Sequence, residues 1–290
     1  IYMSNKDLLD NIRKLRELTG VGFKDCKVAL DETKGDLDKS VEFLRKKGIA
    51  KASKKMSRTA TGGLVLVSEN EGKVSVIEVN SETDFVAKNA DFISFCKELS
   101  DLNLKSRGDV EVLNNSKMKN GLLVKDNIIN LIAKIGEKIT IRRSNYFDNS
   151  EGSNFYYVHA AVEKNIGKIV SIIKLQGIVK GKNEDIGNKI AMHIAASNPL
   201  AVSKGEIDKN IVDKEFEIIK AEVENSGKPK EMVEKISKGK ISKFLNDNSL
   251  LNQLWIMDPK KKVSDILKEN SLDKELKVVN FIKYKVGEGI

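Results

Sequence analysis

Two stretches of the chain carry one pattern. "EGKVSVIEV" at 71–79 and "IGKIVSIIKL" at 166–175 each set a Gly-Lys turn before an apolar strand, and Gly72 and Gly167 lie 95 residues apart. Each stretch follows another strand-like run, "GLVLVSE" or "YYVHAAVE", and each precedes a helical pattern, about 90–102 or 185–197. A chain that repeats such a unit folds most economically as two related α+β subdomains built on antiparallel hairpins. Between the repeats, Val124, Ile128, Leu131, Ile132 and Ile135 recur at helical spacing, and "EKITIRRSNYF" then alternates as a strand.

The segments around the repeats read differently. Residues 4–48 form a compact three-helix pattern. Ser4 and Asp7 have capping-box spacing, and Leu8, Ile12, Leu15 and Leu18 make one apolar stripe. Gly20 ends that helix and leaves "TGVGF" as a tight loop. A second helix over about 24–34 turns Cys26, Ala29 and Leu30 inward; Gly35 stops it, and Asp36 caps a third. "GIAKASKKMSRTATGG" at 48–63 has little to bury and reads as a linker. After Pro199, residues 208–225 and 229–245 read as two helices joined by "NSGKPK", an αα-hairpin. The closing "VVNFIKYKVGEGI" is strand-like, and its return to the second subdomain makes the hairpin an insertion. The expected division is therefore 1–48 for the helical domain, 49–63 for the linker and 64–147 for the first core subdomain. The second core subdomain is 148–205 completed by 257–290, and the hairpin is 206–256.

Composition narrows the function. The 290 residues suffice for two or three domains with a buried core. No apolar run reaches the roughly 20 residues of a membrane span, and no signal-peptide pattern opens the chain, with Met3 as the expected natural start. Cys26 and Cys96 stand apart from any CxxC spacing, which points to a reducing compartment, and the expectation is a cytoplasmic, bacterial protein. The net charge is +9, and residues 1–62 hold 15 Lys/Arg against 9 Asp/Glu, so an acidic partner or nucleic acid competes with plain solvated lysine as the explanation.

The motifs of several chemistries are missing. The closest approach to a phosphate-binding loop, "GIVKGKN" at 177–183, is one residue short between glycines and ends in Asn183. GxGxxG, HExxH, GxSxG and EF-hand patterns do not occur. With only His159 and His193, zinc sites and histidine triads are not expected; no cofactor, metal or catalytic residue is assigned. Acidic pairs Asp31-Glu32 and Glu184-Asp185 fall at expected helix ends. From the residues alone, His193 in "KIAMHIAASNP" reads as a helix residue with a satisfied ring. Aromatics are 6% of residues and mostly at core-like positions, so the stacking platform of a single-strand binder is not visible.

One stretch resists the bland reading. In "VIEVNSETDFVAKNADF" at 76–92 a strand closes at Asn80-Ser81, and Phe85 follows beside Asp84 where the chain turns. An aromatic there needs its own core or another molecule to cover it.

Six stretches in order resemble the elongation factor Ts family: "LRELTGVGFKDCKVAL" (15–30), "EVNSETDFVAKN" (78–89), "LIAKIGEKITIRR" (131–143), "IAMHIAASNP" (190–199), "SGKPKEMVEKI" (226–236) and the final "VGEGI". The resemblance covers almost the whole chain. It implies an α+β protein: an N-terminal three-helix bundle similar to ubiquitin-associated domains, two repeated α+β subdomains with antiparallel sheets, and an inserted helical hairpin. It implies guanine-nucleotide exchange on elongation factor Tu, without enzymatic chemistry, direct nucleotide contact, membrane or specific nucleic acid. By the same matching, Phe85 wedges near the partner's magnesium site, flanked by Thr83, Asp84 and Val86. Lys27, Ile135, Gly136 and His193 add partner contacts, Gly20, Val21, Gly22 and Phe23 form the N-terminal docking loop, and the hairpin supports a homodimer in some members. One departure is that this chain ends after "VGEGI", where some members continue into a helical module. The alternatives are a basic RNA- or ribosome-associated protein without exchange activity and a purely structural adaptor.

Overall fold

The computed structural model describes residues 5–19, 21–225 and 229–290. Ser4 of the expected capping box, Gly20, and the middle of "NSGKPK" lie outside them.

Helices α1 (Asn5–Thr19), α2 (Phe23–Glu32) and α3 (Leu37–Lys55) bury Ile12, Leu15, Cys26, Ala29, Leu30 and Leu44 against one another. The α2–α3 turn passes through left-handed Lys34 and Gly35, with φ 56° and 84°. Asp36 then caps α3 by accepting the Lys39 N–H at 3.0 Å.

The expected linker is corrected here. Instead of ending near residue 48, α3 continues to Lys55, and Ala52 is buried in the core of the following sheet. The physical reason is burial: Gly48 lies buried beside Ala133 of the next subdomain, where an added side-chain carbon would stand in ordinary contact at 3.4 Å. Ala52, one turn on, enters the sheet's core, so this stretch has a surface to pack on. Ala52 thus packs into a core, while Ser53 and Lys54 are exposed along the same helix.

Strands β1 (Gly62–Asn70) and β2 (Lys73–Ser81) form a tight hairpin, with Leu66 opposite Ile77. Behind them lie α4 (Ala90–Lys105), α5 (Val110–Asn114) and α6 (Val124–Ile135), and β3 (Ile139–Phe147) adds to the edge of β2. Strand β4 (Ser153–His159) leads through β5 (Ile166–Gly167) to β6 (Ile169–Gln176). Helix α7 (Asp185–Ser197) precedes the hairpin of α8 (Lys209–Glu224) and α9 (Lys230–Asn248). The chain closes with β7 (Leu254–Trp255), β8 (Asp258–Lys262), α10 (Val263–Glu269) and β9 (Lys277–Lys285). Among the described residues the sheets run β3-β2-β1-β5, β4-β6-β9 and β7-β8, all antiparallel. Strand β9 does return to pair along β6, so α8 and α9 interrupt the second sheet's connectivity.

The two larger sheets pack face to face. Val65, Val67, Val74 and Val76 meet Val170, Ile172 and Tyr284 between them. On its other face the first sheet turns Leu64, Leu66, Ile77 and Val79 onto α4 and α6, and the second turns Ile173 and Leu175 onto α7 and α10. The order is helices, sheet, sheet, helices, which explains why β1, β2 and β6 are apolar on both faces rather than alternating.

The repeat is inexact at its second glycine. Gly72 sits in the β1–β2 turn at φ +75°, as expected, but Gly167 is paired with Val65 of β1. A side-chain carbon at Gly167 would stand 2.6 Å from the His159 carbonyl oxygen, so glycine there permits the crossing between sheets rather than a hairpin turn.

Candidate functional site

Phe85 is 86% exposed, the most exposed of the chain's large apolar side chains among the described residues. Its neighbours are not: Val86 and Ala87 are buried in the first subdomain's core. They begin a short 3-10 turn, Val86–Lys88, in which the Lys88 N–H donates to the Phe85 carbonyl at 3.1 Å. Burial of positions 86 and 87 anchors the turn and forces position 85 to its crest. The aromatic is therefore held out by its neighbours' packing.

The residues before Phe85 are braced from three sides. Ser81 Oγ donates to the Thr83 carbonyl at 2.9 Å. The Glu137 carboxylate accepts the Thr83 N–H at 2.9 Å and the Thr83 hydroxyl at 2.7 Å. Lys168 Nζ, reaching from the crossing between β5 and β6, donates to Asp84 Oδ1 at 2.6 Å and to the Gly63 carbonyl at 2.9 Å. Beneath the turn, a side chain at Gly62 would meet the Thr83 carbonyl carbon at 2.8 Å. Strand β1 and the turn are thus in backbone contact, and glycine is the residue that permits it.

Ile135 and Gly136 stand next to this turn through the neighbouring Glu137 and Lys138. Gly136 ends α6 in the left-handed region, φ 89°, where a Cβ is disfavoured, and its N–H donates to the Ile132 carbonyl at 2.8 Å. Lys55, from the end of α3, donates to the Gly136 carbonyl. Ile135 is half-buried against the first core. The Glu82 carboxylate accepts the Lys138 N–H at 2.6 Å and pairs with Arg58 at 3.2 Å. The Lys138 N–H bond, followed by Arg58, holds the Glu82 carboxyl below its ordinary range.

The remaining expected residues lie elsewhere. Val21 packs against the α1–α3 core, Gly22 caps α2 with its backbone, and Phe23 and Lys27 are exposed along α2. His193 is fully buried on α7. Its Nε2–H faces Gln253 Oε1 at 3.0 Å, and its Nδ1 accepts the Ile256 N–H at 3.4 Å. Burial lowers its pKa against a smaller upward push from Gln253, so the ring is neutral near pH 7. The reading of His193 as a satisfied helix residue matches this geometry; direct contact with a partner does not fit a ring with no exposed surface. The braces Glu137 and Lys168 were missed from the sequence. Glu137 adjoins "AKIG" and had a positional signal, whereas Lys168 lies 84 positions from Asp84 and had none.

Among the described residues, no group of three or more His, Cys, Asp or Glu side chains is placed to hold a metal ion, and no helix is long and apolar enough to cross a membrane. The class this arrangement defines is a mixed α and β protein whose candidate site is a raised docking surface, an exposed aromatic on a braced turn.

A family model described as "Elongation factor TS" matches residues 82–288. "Elongation factor Ts" of Rickettsia akari (strain Hartford) is 40% identical over 283 residues, which cover 96% of this chain and 91% of that protein. The proteins of the same name from Rickettsia prowazekii (strain Madrid E) and Rickettsia felis are 39% and 38% identical with the same coverage. The chain belongs to the elongation factor Ts family, whose members act in translation elongation.

Proposed function

We propose that the chain promotes GDP release and GDP/GTP exchange on elongation factor Tu, with Phe85 as the wedge that enters the partner near its magnesium site. The observation that carries this reading is an 86% exposed Phe85 on a turn whose next two residues are buried, a geometry that leaves the ring for another molecule to cover. Exchange then follows from linkage: a chain that binds the nucleotide-free partner more tightly weakens nucleotide binding by the same factor.

Magnitudes limit what one ring does. Each tenfold weakening of nucleotide affinity needs about 1.4 kcal/mol of differential binding. Burying one Phe side chain contributes roughly 1.5–3 kcal/mol, about one or two decades. The remainder comes from neighbouring contacts, for which Thr83, Asp84, Val86, Ile135 and Gly136 supply the adjoining surface. Asp84 cannot donate to phosphate oxygens; its Lys168 pair fits a role in holding the turn. His193 contributes from within, by fixing the β7–β8 hairpin on which Ile256 and Met257 are exposed.

On this reading residues 1–48 dock on the partner's GTPase domain through Val21, Gly22, Phe23 and Lys27. The two sheets with their helices form the core, and 206–256 offers a surface to a second copy. The chain makes and breaks no covalent bond and does not touch the nucleotide. The test is release of a fluorescent GDP analogue from elongation factor Tu, with and without the chain and its Phe85→Ala variant. Acceleration by the wild type and its loss in a folded variant are expected; an unaccelerated release with folded wild type overturns the reading.

A further inference from the structure

Two carboxylates cross between the Phe85 turn and the loop after α6. Glu82, on the turn, accepts the backbone N–H of Lys138 at 2.6 Å, while Glu137, on the loop, accepts the backbone N–H of Thr83 at 2.9 Å. The bonds are reciprocal: each segment supplies one side chain that satisfies the other's amide, across more than fifty residues of sequence. Glu137 uses its second oxygen on the Thr83 hydroxyl at 2.7 Å, so its carboxylate grips one residue at two points. The residue so gripped stands two positions before Phe85.

We propose that Glu137 is the positioning residue of the Phe85 turn, and that the crossed carboxylates make Phe85 and the Ile135–Gly136 corner one rigid docking element. The inference rests on the exchange reading given above. Three features support it. Val86 and Ala87 anchor the turn only on its C-terminal side, which leaves Thr83 and Asp84 exposed and in need of a separate hold. Glu137 follows Gly136, whose left-handed backbone ends α6 and redirects the chain toward the turn. Lys55 donates to the Gly136 carbonyl and Arg58 pairs with Glu82, so the segment leaving α3 reaches both halves of the clasp. A ring set on a rigid crest enters its partner without the entropy loss of ordering a loose loop.

The role differs from general stabilisation in what it changes. Glu137 acts through the placement of Phe85 and not by contact with the partner's nucleotide site. Removing it therefore lowers the rate of GDP release at saturation, while the concentration for half-saturation, set by the whole docking surface, stays in place. The experiment measures both parameters for release of a fluorescent GDP analogue from elongation factor Tu with wild type, Glu137→Ala, Glu137→Gln and Thr83→Val. The expected result is a fall of roughly tenfold or more in the saturating rate for Glu137→Ala, since small misplacements at a reacting site have effects of that order. Glu137→Gln restores most of the rate, because its amide oxygen takes the Thr83 N–H and its NH2 group faces the hydroxyl. Thr83→Val, which keeps the backbone bond and loses the hydroxyl bond, falls between them and serves as the probe where Glu137→Ala does not fold. A wild-type saturating rate in folded Glu137→Ala or Thr83→Val, or a loss confined to half-saturation, overturns the positioning role. Absence of acceleration by the wild-type chain itself overturns instead the exchange reading, so the two failures are distinguishable.

Discussion

His193 and Trp255 stack in the second core, ring centroids 5.2 Å apart and planes 19° from parallel. The histidine lies on α7 and the tryptophan on β7, so the stack joins a helix to the hairpin that follows the α8–α9 insertion. Gln253 completes the junction: it accepts from the imidazole and donates to the carbonyls of Ser197 at 3.1 Å and Asp247 at 2.8 Å.

Loss of the ring should be felt as instability. His193→Ala leaves Gln253 Oε1 without its donor, worth about 1–3 kcal/mol, and removes a stack worth about 0.5–1.5 kcal/mol. A total loss of roughly 1.5–4.5 kcal/mol is expected from these two contributions. Denaturant unfolding followed by the fluorescence of Trp255, the chain's single tryptophan, measures it.

The same burial makes stability depend on pH. The folded imidazole has a lowered pKa, so as pH falls below about 6.5 the unfolded chain takes up a proton that the folded chain refuses. Stability is complete above that value and declines as pH falls towards the folded pKa, by up to about 1.4 kcal/mol per pH unit. His193→Gln should lose this slope between pH 6.5 and the onset of carboxylate titration, as denaturation midpoints across that range would reveal.

Glu78 is fully buried and carries the corner where the last residues of the chain meet β2. Its carboxylate receives Arg143 at 2.6 Å, Arg142 at 3.1 Å, Asn80 at 3.0 Å and the Gly287 N–H at 2.8 Å. Burial alone pushes the carboxyl pKa up, but the bonds from Gly287, Asn80 and Arg143 together outweigh it and hold the group below its ordinary value. Its contribution is therefore present above the unfolded pKa and lost as pH falls through the folded one. Glu78→Ala should destabilise by about 3 kcal/mol, the low end for breaking a buried pair, because both guanidinium groups keep contact with water. A melting temperature equal to the wild type in that variant would contradict the account.

Phe85→Ala is expected to leave the fold nearly untouched, and Lys168→Ala to cost it little. The ring is exposed, so its removal should change stability by no more than about 0.5 kcal/mol. The Lys168–Asp84 pair is exposed on the Asp84 side and contributes about 0–1 kcal/mol, and the part-buried bond to the Gly63 carbonyl adds about 1 kcal/mol. Both variants should nonetheless slow GDP release from elongation factor Tu. Thermal melts beside exchange kinetics separate the two effects.

Gly62→Ala tests the floor beneath the turn. The added methyl would stand 2.8 Å from the Thr83 carbonyl carbon and 2.9 Å from its oxygen, and backbone rather than a flexible side chain must give way. The expected cost is about 1–3 kcal/mol with displacement of residues 82–85, and exchange should fall with it. Crystallography of the variant would locate the displacement; an unmoved turn would refute the contact's importance.

Some of this was legible in one dimension. Strand and helix periodicity located both hairpins and the α8–α9 pair, because apolar spacing is a local property of the chain. "TDFV" between a strand and a helix signalled an unusual aromatic for the same reason. The linker failed because Ala and Gly look alike in a flexible tether and in a packed helix; only the partners, Ala133 beside Gly48 and the sheet core around Ala52, distinguish them. Gly167 failed likewise, since a glycine needed for a crossing of sheets and one needed for a turn have the same neighbours in sequence. The residue types and their order thus determined which segments become helices and strands and that Phe85 stands where the chain turns. Whether its ring is covered, and that Glu137 and Lys168 hold the turn beneath it, only the tertiary structure decided, because exposure and long-range hydrogen bonds depend on which distant segments the packed sheets bring together.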